Sequence, residues 1–468
     1  MPPLWTRASA AAATGGSASG GDWAARGVAI DSRTVAAGDL FIALRGPNHD
    51  GHDFVGAALE RGAAAAVVER DVAGLPEGAR LLRVADTLAA LGALGRAARR
   101  RSGARILAVT GSVGKTGTKE ALRLALSACG PTVASAGSLN NHWGVPLSLA
   151  RLPAEAAYGV FELGMNHKGE IAALTRLVRP HVAVITTVEP AHLGFFPSVE
   201  AIADAKAEIF EGLEPGGVAV INRDNPHYPR LAAAARRCGA RVISFGTDPE
   251  AAVRLKDGVL RPDGSTVEAI LAGTLLRYAL PVPGRHWVMN SLAVIAAAEA
   301  AGADVGAAAA ALSGLEAPRG RGRRHEIAWH GGRLTLIDES YNASPASMRA
   351  ALAVLAAIPP GSGGRRIAVL GDMLELGAAA ESLHCALAAP IAAAAVDRVY
   401  LIGAAMRALD AVLPPERRSG LWPGADEVIP ALLSDLRPGD VVTVKGSWGV
   451  GMGRVVERLC AGPAGPET

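Results

Sequence analysis

One stretch of the 468-residue chain, RILAVTGSVGKTGTKEA at residues 105–121, has residue types and spacing that suit phosphate binding. An apolar run leads into a glycine loop, and a helical pattern follows the loop. Gly111 and Gly114 allow the backbone to come close to an anion, so that loop amides and the helix N-terminus can point at it. Lys115 adds a positive charge, and the Thr116 hydroxyl suits Mg²⁺. An ordinary glycine turn would not need these two side chains. We therefore predict a nucleotide-binding loop that comprises Gly111, Ser112, Gly114, Lys115, Thr116 and Gly117.

Two later apolar runs, at residues 159–163 and 182–188, contain or precede acidic and histidine side chains. The carboxyl ends of neighbouring parallel strands meet at one edge of a sheet, where ligands collect. Glu162 lies in an otherwise apolar strand end, and a buried carboxylate there is costly without a charge partner. Mg²⁺ held by Thr116, Glu162 and His192 would supply that partner. Alone, His192 would more often be a structural histidine, but its place at the same edge favours the metal site.

A further charged side chain lies on an amphipathic helix predicted for residues 198–213. Ala203, Lys206 and Phe210 share one face of this helix. A lysine beside an apolar stripe usually extends its amine to solvent, so the pattern alone assigns no function to Lys206.

The elements that must position these residues follow an α/β pattern. From residue 106 onward, short apolar runs alternate with helical patterns, which is typical of a parallel sheet covered by helices. Residues 251–280 instead alternate between apolar and polar and contain Asp-Gly turns, which indicates an antiparallel addition to that sheet. A long helix is predicted from about His286.

Before this region, the chain predicts a small α/β unit that ends near residue 95. Residues 4–21 fit a threonine-capped helix, although a flexible tail suits their low-complexity composition nearly as well. Short β-like pieces then alternate with polar turns that contain Ser32, Arg33 and Asp50. Such a polar surface suits a bound ligand, and ordinary solvated loops fit equally well.

The segment PRGRGRR, at residues 318–324, marks a second boundary, either as a charged linker or as an arm that binds anions. The alternation of strands and helices restarts after it, with an apolar run at residues 334–337. We therefore predict a third, Rossmann-like domain, although it lacks a Gly-x-Gly-x-x-Gly sequence. Polar residues again follow the predicted strands: Asp338, Tyr341, Asn342, Asp372 and Lys445.

Composition limits the partners and the compartment. The formal charge of +3 and the spread of basic residues demand neither nucleic acid nor an anionic membrane. The four cysteines lie far apart without paired spacing, which argues against a disulfide framework or a zinc site and favours a reducing cytoplasm. We also predict no signal peptide and no membrane span, because no run of ~18 uncharged apolar residues occurs.

Several motifs together resemble the Mur ligase family over almost the whole chain: TGSVGKTGTKE, SLNNHWGVPLSL, FELGMNHKGEI, AHLGFF, DAKAEIF, GRHWVMNSLA, IDESYNASPASM, VLGDMLELG and VKGS. ESYNASP and GDMLELG are typical of the branch that adds D-alanyl-D-alanine to UDP-N-acetylmuramoyl-tripeptide. The branch that adds the third residue, diaminopimelate or lysine, to the dipeptide precursor is the nearest alternative. A folylpolyglutamate synthetase-like ligase and a non-catalytic nucleotide-binding regulator fit less well.

The resemblance implies three domains. Residues 1–95 would bind the uridine nucleotide, residues 96–317 would form a central ATP-binding domain with a mostly parallel sheet, and residues 318–468 would form a Rossmann-like ligase domain. It also implies that ATP phosphorylates the terminal carboxylate of the substrate and that the amine of D-alanyl-D-alanine attacks the acyl phosphate. We expect a monomer in the cytoplasm whose partners are small-molecule substrates.

The same resemblance implies roles for individual residues. Lys115 would hold the β- and γ-phosphates. Thr116 and Glu162 would bind one Mg²⁺, and His192 would bind a second. Lys206 matches a lysine that becomes carbamylated and supports the second ion. Four further residues match positions that contact ATP: His286, Asn290, Arg321 and Asp338. Seven are assigned to the nucleotide or peptide substrate: Ser32, Arg33, Asp50, Asn140, Asn141, Tyr341 and Asn342.

Three positions depart from the family pattern. They are Trp287, where asparagine is common, Trp448, where arginine often follows Lys-Gly-Ser, and Gly453, where glutamate is usual. The last two concern binding of the dipeptide. The sequence Asp-Asn-Pro at residues 224–226 resembles part of a diaminopimelate signature of the alternative branch, but its place in the central domain indicates a turn after the strand at residues 218–221.

Overall fold

The computed structural model describes residues 2–191 and 193–463. Its N-terminal part begins with strand β1 (Trp5–Thr6) and helix α1 (Arg7–Thr14). The Thr6 hydroxyl accepts a hydrogen bond from the Ser9 backbone amide (3.2 Å), and the helix ends at Gly15 in the left-handed conformation (φ 69°). The predicted threonine-capped helix is therefore confirmed.

The remaining N-terminal elements are β2 (Ser17–Ser19), β3 (Ala24–Ala25), β4 (Gly27–Ala29), β5 (Asp39–Ile42), α2 (Val55–Glu60), β6 (Ala65–Val68), β7 (Leu81–Arg83) and α3 (Thr87–Arg101). β3 pairs antiparallel with β1, and the others form a five-stranded sheet in the order β2-β7-β6-β5-β4. Three of its four strand pairs are parallel, which fits the predicted α/β unit. Asp86 caps α3, and residue 95 lies inside this continuous helix.

The central part begins with β8 (Arg105–Thr110), α4 (Lys115–Ser127), β9 (Thr132–Ala134), α5 (Gly144–Ala150), β10 (Tyr158–Glu162), α6 (Glu170–Val178), β11 (Val182–Ile185) and α7 (Val199–Ala207). It continues with β12 (Val218–Asn222), α8 (Tyr228–Arg237), β13 (Arg241–Gly246), β14 (Val253–Arg261), β15 (Gly264–Leu271), β16 (Thr274–Leu280), α9 (Arg285–Ala300) and α10 (Val305–Ala311).

Within the described residues, these strands form one sheet in the order β16-β15-β14-β13-β12-β11-β8-β10-β9. Pairs from β13 to β9 are parallel, β14 joins β13 in parallel, and β14, β15 and β16 are antiparallel to one another. Both the parallel sheet and its antiparallel addition are as predicted. The segment at residues 224–226 lies in the turn between β12 and α8, which also confirms its interpretation.

Residues 106–109 of the central strand β8 are all apolar because helices cover both of its faces. Ile106 and Ala108 pack on one side of the sheet, in the core that also includes the N-terminal part. Leu107 and Val109 pack on the other side, against α4 and α9. The sheet therefore holds the predicted phosphate-binding loop at the end of a strand that is buried from Ile106 to Thr110.

The third part contains β17 (Arg323–Trp329), β18 (Gly332–Glu339), α11 (Pro345–Ala357), β19 (Arg366–Gly371), α12 (Ala380–Cys385), α13 (Ala388–Ala393), β20 (Arg398–Ile402), α14 (Arg407–Val412), β21 (Arg418–Trp422), α15 (Ala425–Asp435), β22 (Val441–Lys445) and α16 (Gly453–Cys460). Its described strands follow the order β17-β18-β22-β19-β20-β21, and every pair except β17 with β18 is parallel.

Strand β17 was not predicted, because its first residues belong to the charged PRGRGRR segment. Arg323 and Arg324 are exposed on this edge strand, whereas Ile327 and Trp329 point inward. The alternation that marks a half-buried strand therefore begins only after the arginines. The segment is thus partly a loop and partly the start of a hairpin.

The three parts contact one another. Trp5 Nε1 donates to the Ala150 carbonyl (2.9 Å), and Arg151 Nε donates to the Val28 carbonyl (2.7 Å), which joins the N-terminal part to α5. The third part contacts the central part where the Gly194 amide donates to the Glu375 carbonyl (2.8 Å). In the described parts of the chain, every helix is too short or too polar to traverse a lipid bilayer.

Candidate active site

A cleft of about 880 Å³ lies between the central and third parts. Strands β8, β10 and β11 end at its central wall, and β18 and β22 end at its opposite wall. It brings together twelve of the residues predicted from sequence: Ser112, Gly114, Lys115, Gly117, Asn140, Asn141, Glu162, His286, Asn290, Arg321, Tyr341 and Asn342. The rule that ligand groups follow parallel strands pointed to Glu162, Tyr341 and Asn342. The glycine loop gave four of the twelve residues, and the family resemblance gave the other five.

The loop between β8 and α4 is held in a fixed shape. Gly114 takes the left-handed conformation (φ 84°) and directly precedes α4, so the free amides at the start of the helix face the cleft. Gly111 packs so closely on Thr186 that any side chain would overlap the hydroxyl of that residue. The Ser112 hydroxyl accepts a hydrogen bond from the Glu189 amide (2.9 Å) and donates one to the Glu189 carbonyl (3.0 Å). These bonds tie the loop to the segment after β11.

Lys115 is the cation of this loop. Its Nζ donates to the Gly111 carbonyl (2.8 Å), and no carboxylate of the described residues lies within ion-pair distance. Burial lowers the pKa of Lys115, the Glu162 carboxylate raises it, and the positive Arg321 lowers it again. An anion in the cleft would relieve this unbalanced charge.

Glu162 is the matching buried anion. Only 1% of it is exposed, and it accepts hydrogen bonds from Thr116 Oγ1 (2.8 Å) and Asn140 Nδ2 (2.8 Å). These bonds satisfy its oxygens but leave its charge without a cation at ion-pair distance among the described residues. Carboxylate and hydroxyl oxygens are ligands that Mg²⁺ prefers, so Thr116 and Glu162 fit the predicted metal role.

The rest of the predicted metal site is less complete. His192 lies outside the described residues. Within residues 2–191 and 193–463, no three His, Cys, Asp or Glu side chains gather as a metal site. Asn140, predicted to bind substrate, instead orients Glu162, although it also lines the cleft. Asn141 accepts bonds from the amides of Trp143 (3.1 Å) and Gly144 (2.9 Å) at the start of α5.

Lys206 is buried on α7, with only 2% of the residue exposed, and it does not line the cleft. Burial lowers its pKa well below the ordinary value, and the charge of Lys115 lowers it further. Among the described residues, none accepts a hydrogen bond from its amine or forms an ion pair with it. The amphipathic pattern of the helix alone was compatible with a lysine that extends its amine to solvent. In the structure the Lys206 side chain is buried instead.

The start of α9 forms another part of the wall. The Asn290 side chain lies against Gly114, where an added Cβ would be 3.0 Å from its Oδ1 atom. Trp287 packs on Gly117 in the same way (2.8 Å to its ring). Burial lowers the pKa of His286, while nearby Glu339 opposes that shift. The predicted contact of His286 and Asn290 with ATP stays a prediction.

The third part supplies two cations and two aromatic rings. The Arg321 guanidinium lies 4.2 Å from the centre of the Tyr341 ring, and Tyr341 shares a hydrogen bond with the Ser138 hydroxyl of the central part. Lys445 Nζ donates to the Asn342 carbonyl (2.9 Å) and pairs with a carboxylate of β18 (3.3 Å). Trp448 packs against Tyr341 with the two rings tilted by 46° and their centres 5.2 Å apart, and it is 73% exposed.

Asp338 does not face the cleft, unlike Arg321, the other predicted ATP contact of the third part. Its carboxylate is buried and accepts hydrogen bonds from the Gly320 amide (2.8 Å) and the Ser340 hydroxyl (2.6 Å). It shapes the turn that carries Arg321. Asp372, another strand-end residue, accepts a bond from the Met406 amide (2.9 Å) instead.

Three predicted substrate residues, Ser32, Arg33 and Asp50, also lie outside the cleft. Arg33 is highly exposed and pairs with Asp31 (2.7 Å). Asp50 accepts bonds from the His52 amide (3.0 Å) and ring (2.6 Å) and from Arg70 (3.1 Å). Burial opposes ionisation, but these bonds lower the pKa of Asp50 to about 2. The His52 ring also accepts from the Glu69 amide, so its other nitrogen carries the proton toward Asp50.

Sequence reasoning missed several residues of the site. Ser138 lies two residues before Asn140 in the SLNNHWG motif, and Glu339 follows Asp338 in the DESYN motif. Both are neighbours of predicted residues, but only the folded chain shows that Ser138 meets Tyr341 and that Glu339 meets Lys445. Their motif membership was the one signal available in the sequence.

Comparison with known proteins identifies the family. Three family models match in sequence: "Mur ligase family, catalytic domain" at residues 25–99, "Mur ligase middle domain" at residues 109–298 and "Mur ligase, glutamate ligase domain" at residues 322–448. The UDP-N-acetylmuramoyl-tripeptide--D-alanyl-D-alanine ligase of Escherichia coli (strain K12) is 38% identical over 83% of this chain and 83% of that protein.

Solved structures agree. A crystal structure of MurF from Acinetobacter baumannii matches with a TM-score of 0.84 and 31% identity, over 97% of this chain and 98% of that one. The MurF ligase of Thermotoga maritima in complex with ADP matches with a TM-score of 0.75 and 27% identity, over 92% of this chain and 96% of that one. The expected α/β fold and the resemblance seen in the motifs are confirmed, and the chain belongs to the Mur ligase family.

Proposed function

We propose that this protein is an ATP-dependent ligase that joins D-alanyl-D-alanine to UDP-N-acetylmuramoyl-tripeptide in peptidoglycan precursor synthesis. The observation that carries the proposal is the shared cleft, in which a phosphate-binding loop faces Arg321, Tyr341 and Asn342 across the domain junction. The E. coli relative bears the name of this activity, and the T. maritima neighbour was solved with ADP. No comparison favours the alternative that adds the third residue.

The chemistry follows from the poor reactivity of a carboxylate. The terminal carboxylate oxygen of the tripeptide attacks the γ-phosphorus of ATP, ADP leaves, and an acyl phosphate forms. The neutral amine of the dipeptide then attacks the carbonyl carbon, inorganic phosphate leaves, and the nitrogen loses a proton. Such transfers need charge neutralisation and in-line positioning more than an acid-base pair. Lys115, the α4 amides and Arg321 supply positive charge at the cleft.

We also propose that Thr116 and Glu162 hold one Mg²⁺ ion. The support is the buried Glu162 carboxylate, which has two hydrogen-bond donors but no cation at ion-pair distance in the described chain. When bound, the ion would neutralise phosphate charge. His192, outside the described residues, is proposed to hold a second ion, as the family resemblance implies.

Lys206 is proposed to be carbamylated. Its depressed pKa favours the neutral amine, whose nitrogen forms a bond to the carbon of CO₂ and releases one proton, leaving a carbamate anion. The reaction replaces a neutral amine that has no partner among the described residues with an anion that the positive charge of Lys115 would stabilise.

The remaining assignments complete the proposal. Residues 1–95 would bind the uridine nucleotide through Ser32, Arg33 and Asp50, residues 96–317 would bind ATP, and residues 318–468 would close the site. We propose His286, Asn290, Arg321 and Asp338 for ATP, with Asp338 acting through the turn that holds Arg321. Asn140, Asn141, Tyr341 and Asn342 are proposed to face the peptide.

We propose that the enzyme works as a monomer in the cytoplasm. All four cysteines are free, as expected in a reducing compartment.

The test combines ATP, UDP-N-acetylmuramoyl-tripeptide and a panel of amine acceptors. We expect phosphate release only when both substrates are present, and a product whose mass corresponds to addition of D-alanyl-D-alanine. Faster coupling of diaminopimelate or lysine to the UDP-dipeptide would move the protein to the alternative branch. Extension of a folate by glutamate would indicate the folylpolyglutamate synthetase-like activity. Nucleotide binding without any product would indicate a regulator.

A further inference from the structure

Lys119 lies one helical turn beyond Lys115 on α4, and none of it is exposed to solvent (0%). An ammonium group removed from water is costly unless its donors have acceptors. Here Nζ donates to the carbonyls of Ser135 (2.6 Å) and Gly137 (2.8 Å) and pairs with Glu120 Oε1 (2.7 Å). Each of its donors therefore meets an oxygen. The lysine rigidly links the Ser135 carbonyl, the Gly137 carbonyl and the Glu120 carboxylate.

Two of these acceptors belong to residues 135–141, which we call the bridging loop, between β9 and α5. The loop connects separate parts of the site through its side chains. Asn140 donates to Glu162, and the Asn140 carbonyl accepts a bond from the Gly164 amide (2.8 Å). Ser138 bonds Tyr341 of the third part. The bridging loop thus touches both the candidate metal ligand and the opposite wall of the cleft.

The backbone of the bridging loop makes few bonds that fix it to α4. Its inner bonds join the Leu139 amide to the Ala136 carbonyl (3.1 Å) and the Asn140 amide to the Ser138 carbonyl (2.8 Å). Among the described residues, Lys119 is the one side chain of α4 that hydrogen-bonds this loop. An apolar side chain would fill the same space without the cost of removing an ammonium group from water. The buried charge of Lys119 therefore indicates that its hydrogen bonds hold the loop in place.

We propose that Lys119 is a positioning residue for the ligase reaction. It fixes the bridging loop against the phosphate-loop helix, so that Glu162 and Tyr341 meet the phosphate loop in a single arrangement. Lys119 does not line the cleft and acts only through Asn140 and Ser138. The kinetic part of this inference rests on the proposed function, whereas its structural part does not.

The structural part is tested by hydrogen exchange on the ligand-free protein. Lys119→Met keeps the length of the side chain and removes its donors. We expect exchange at the amides of Leu139 and Asn140 to rise about tenfold, since the loop loses two bonds. Arg123→Met is the matched control, because Arg123 is a half-exposed neighbour on α4 that pairs with the same Glu120 (2.8 Å) but not with the loop. It should leave the exchange of the loop unchanged.

The kinetic part separates positioning from nucleotide binding. For Lys119→Met we expect ADP affinity within about twofold of the wild type, because the phosphate loop is intact, and kcat lower by about 10- to 100-fold. In an Asn140→Ala/Ser138→Ala background the same change should cost little more, because Lys119 acts through these two side chains. Additive losses, or a Kd for ADP that rises as much as kcat falls, would overturn the proposal.

Two further outcomes are decisive. An exchange increase spread evenly over the sheets would show global destabilisation, and normal exchange of the loop would show no positioning; either one overturns the inference. If Lys119→Met does not fold, Lys119→Leu, which also lacks N–H donors, takes its place with the same readouts. If the wild type makes no product with any acceptor, the proposed function fails, while the exchange and ADP measurements still decide the role of Lys119.

Discussion

Charged side chains of the candidate site differ from those in the turns of the N-terminal part in whether their charges are balanced. Asp50 and Asp31 each have an arginine or histidine partner within hydrogen-bond distance. Glu162 and Lys206 are nearly inaccessible and have no counter-ion at such a distance among the described residues. Lys115 bonds only a carbonyl. Because unbalanced buried charge is costly, it indicates groups that a ligand completes, whereas the balanced pairs stabilise their own turns.

The largest effect is expected at Lys115, whose positive charge is proposed to neutralise the phosphates of ATP. Lys115→Ala should lower kcat by about 10²–10³ because the developing charge on the transferred group loses its cation. The fold should persist, since the side chain bonds only Gly111. Turnover and thermal unfolding of the purified variant check both points. Unchanged turnover would remove the basis for the phosphate-loop assignment.

Lys206 comes next, because it would act through a metal ion rather than on the phosphates directly. Lys206→Ala should lose about 10- to 100-fold in rate, and a short carboxylic acid such as acetate should restore part of the loss by occupying the vacated position. Acetate should not help Lys115→Ala, which is the matched control. Full activity of Lys206→Ala in CO₂-depleted buffer would contradict the carbamate.

The elements and residues around the cleft show which features could be predicted from the sequence and which could not. Strands such as β8 were predictable because burial on both faces gives an unbroken apolar run, but β17 was not, because arginines occupy its first positions. Glu162 and Lys115 were found since strand ends and glycine loops have local signatures. The two loop carbonyls that Lys119 bonds lie 16 and 18 residues away, outside its own helix, so no local pattern could reveal them.

The contact between Ser138 and Tyr341 joins the two walls of the cleft, so its loss should have a moderate effect. Tyr341→Phe keeps the ring beside Arg321 and Trp448 but removes the hydroxyl. We expect kcat to fall about two- to tenfold, as for the loss of one hydrogen bond, without a change in ADP affinity. Ser138→Ala should lower kcat by a similar factor, and the kcat of the double variant should be no lower than that of either single variant. A double variant that loses the product of the two effects would show that the residues work separately.

The smallest effects concern the stability of the ligand-free protein, and they should have opposite signs in the two regions. Glu162→Gln keeps acceptor and donor groups for Asn140 and Thr116 but removes the unpaired charge, so it should raise the free energy of unfolding by about 1 kcal/mol. Asp50→Asn removes a charge that has partners, so it should lower the free energy of unfolding by about 1 kcal/mol. Denaturant unfolding of both variants at pH 7 measures the difference.

The pH dependence sharpens this last prediction. The pKa of Asp50 is lowered from 3.8 to about 2 in the folded protein, so its ionised form stabilises the fold above pH 3.8. That stabilisation is lost as the pH falls through about 2, because the carboxyl is then protonated in both states. The stability difference between wild type and Asp50→Asn should therefore be constant near pH 7 and shrink between about pH 4 and pH 2. A difference that persists below pH 2 would mean that the Asp50 carboxylate contributes by shape rather than by charge, and the contrast with Glu162 would then not rest on balanced charge.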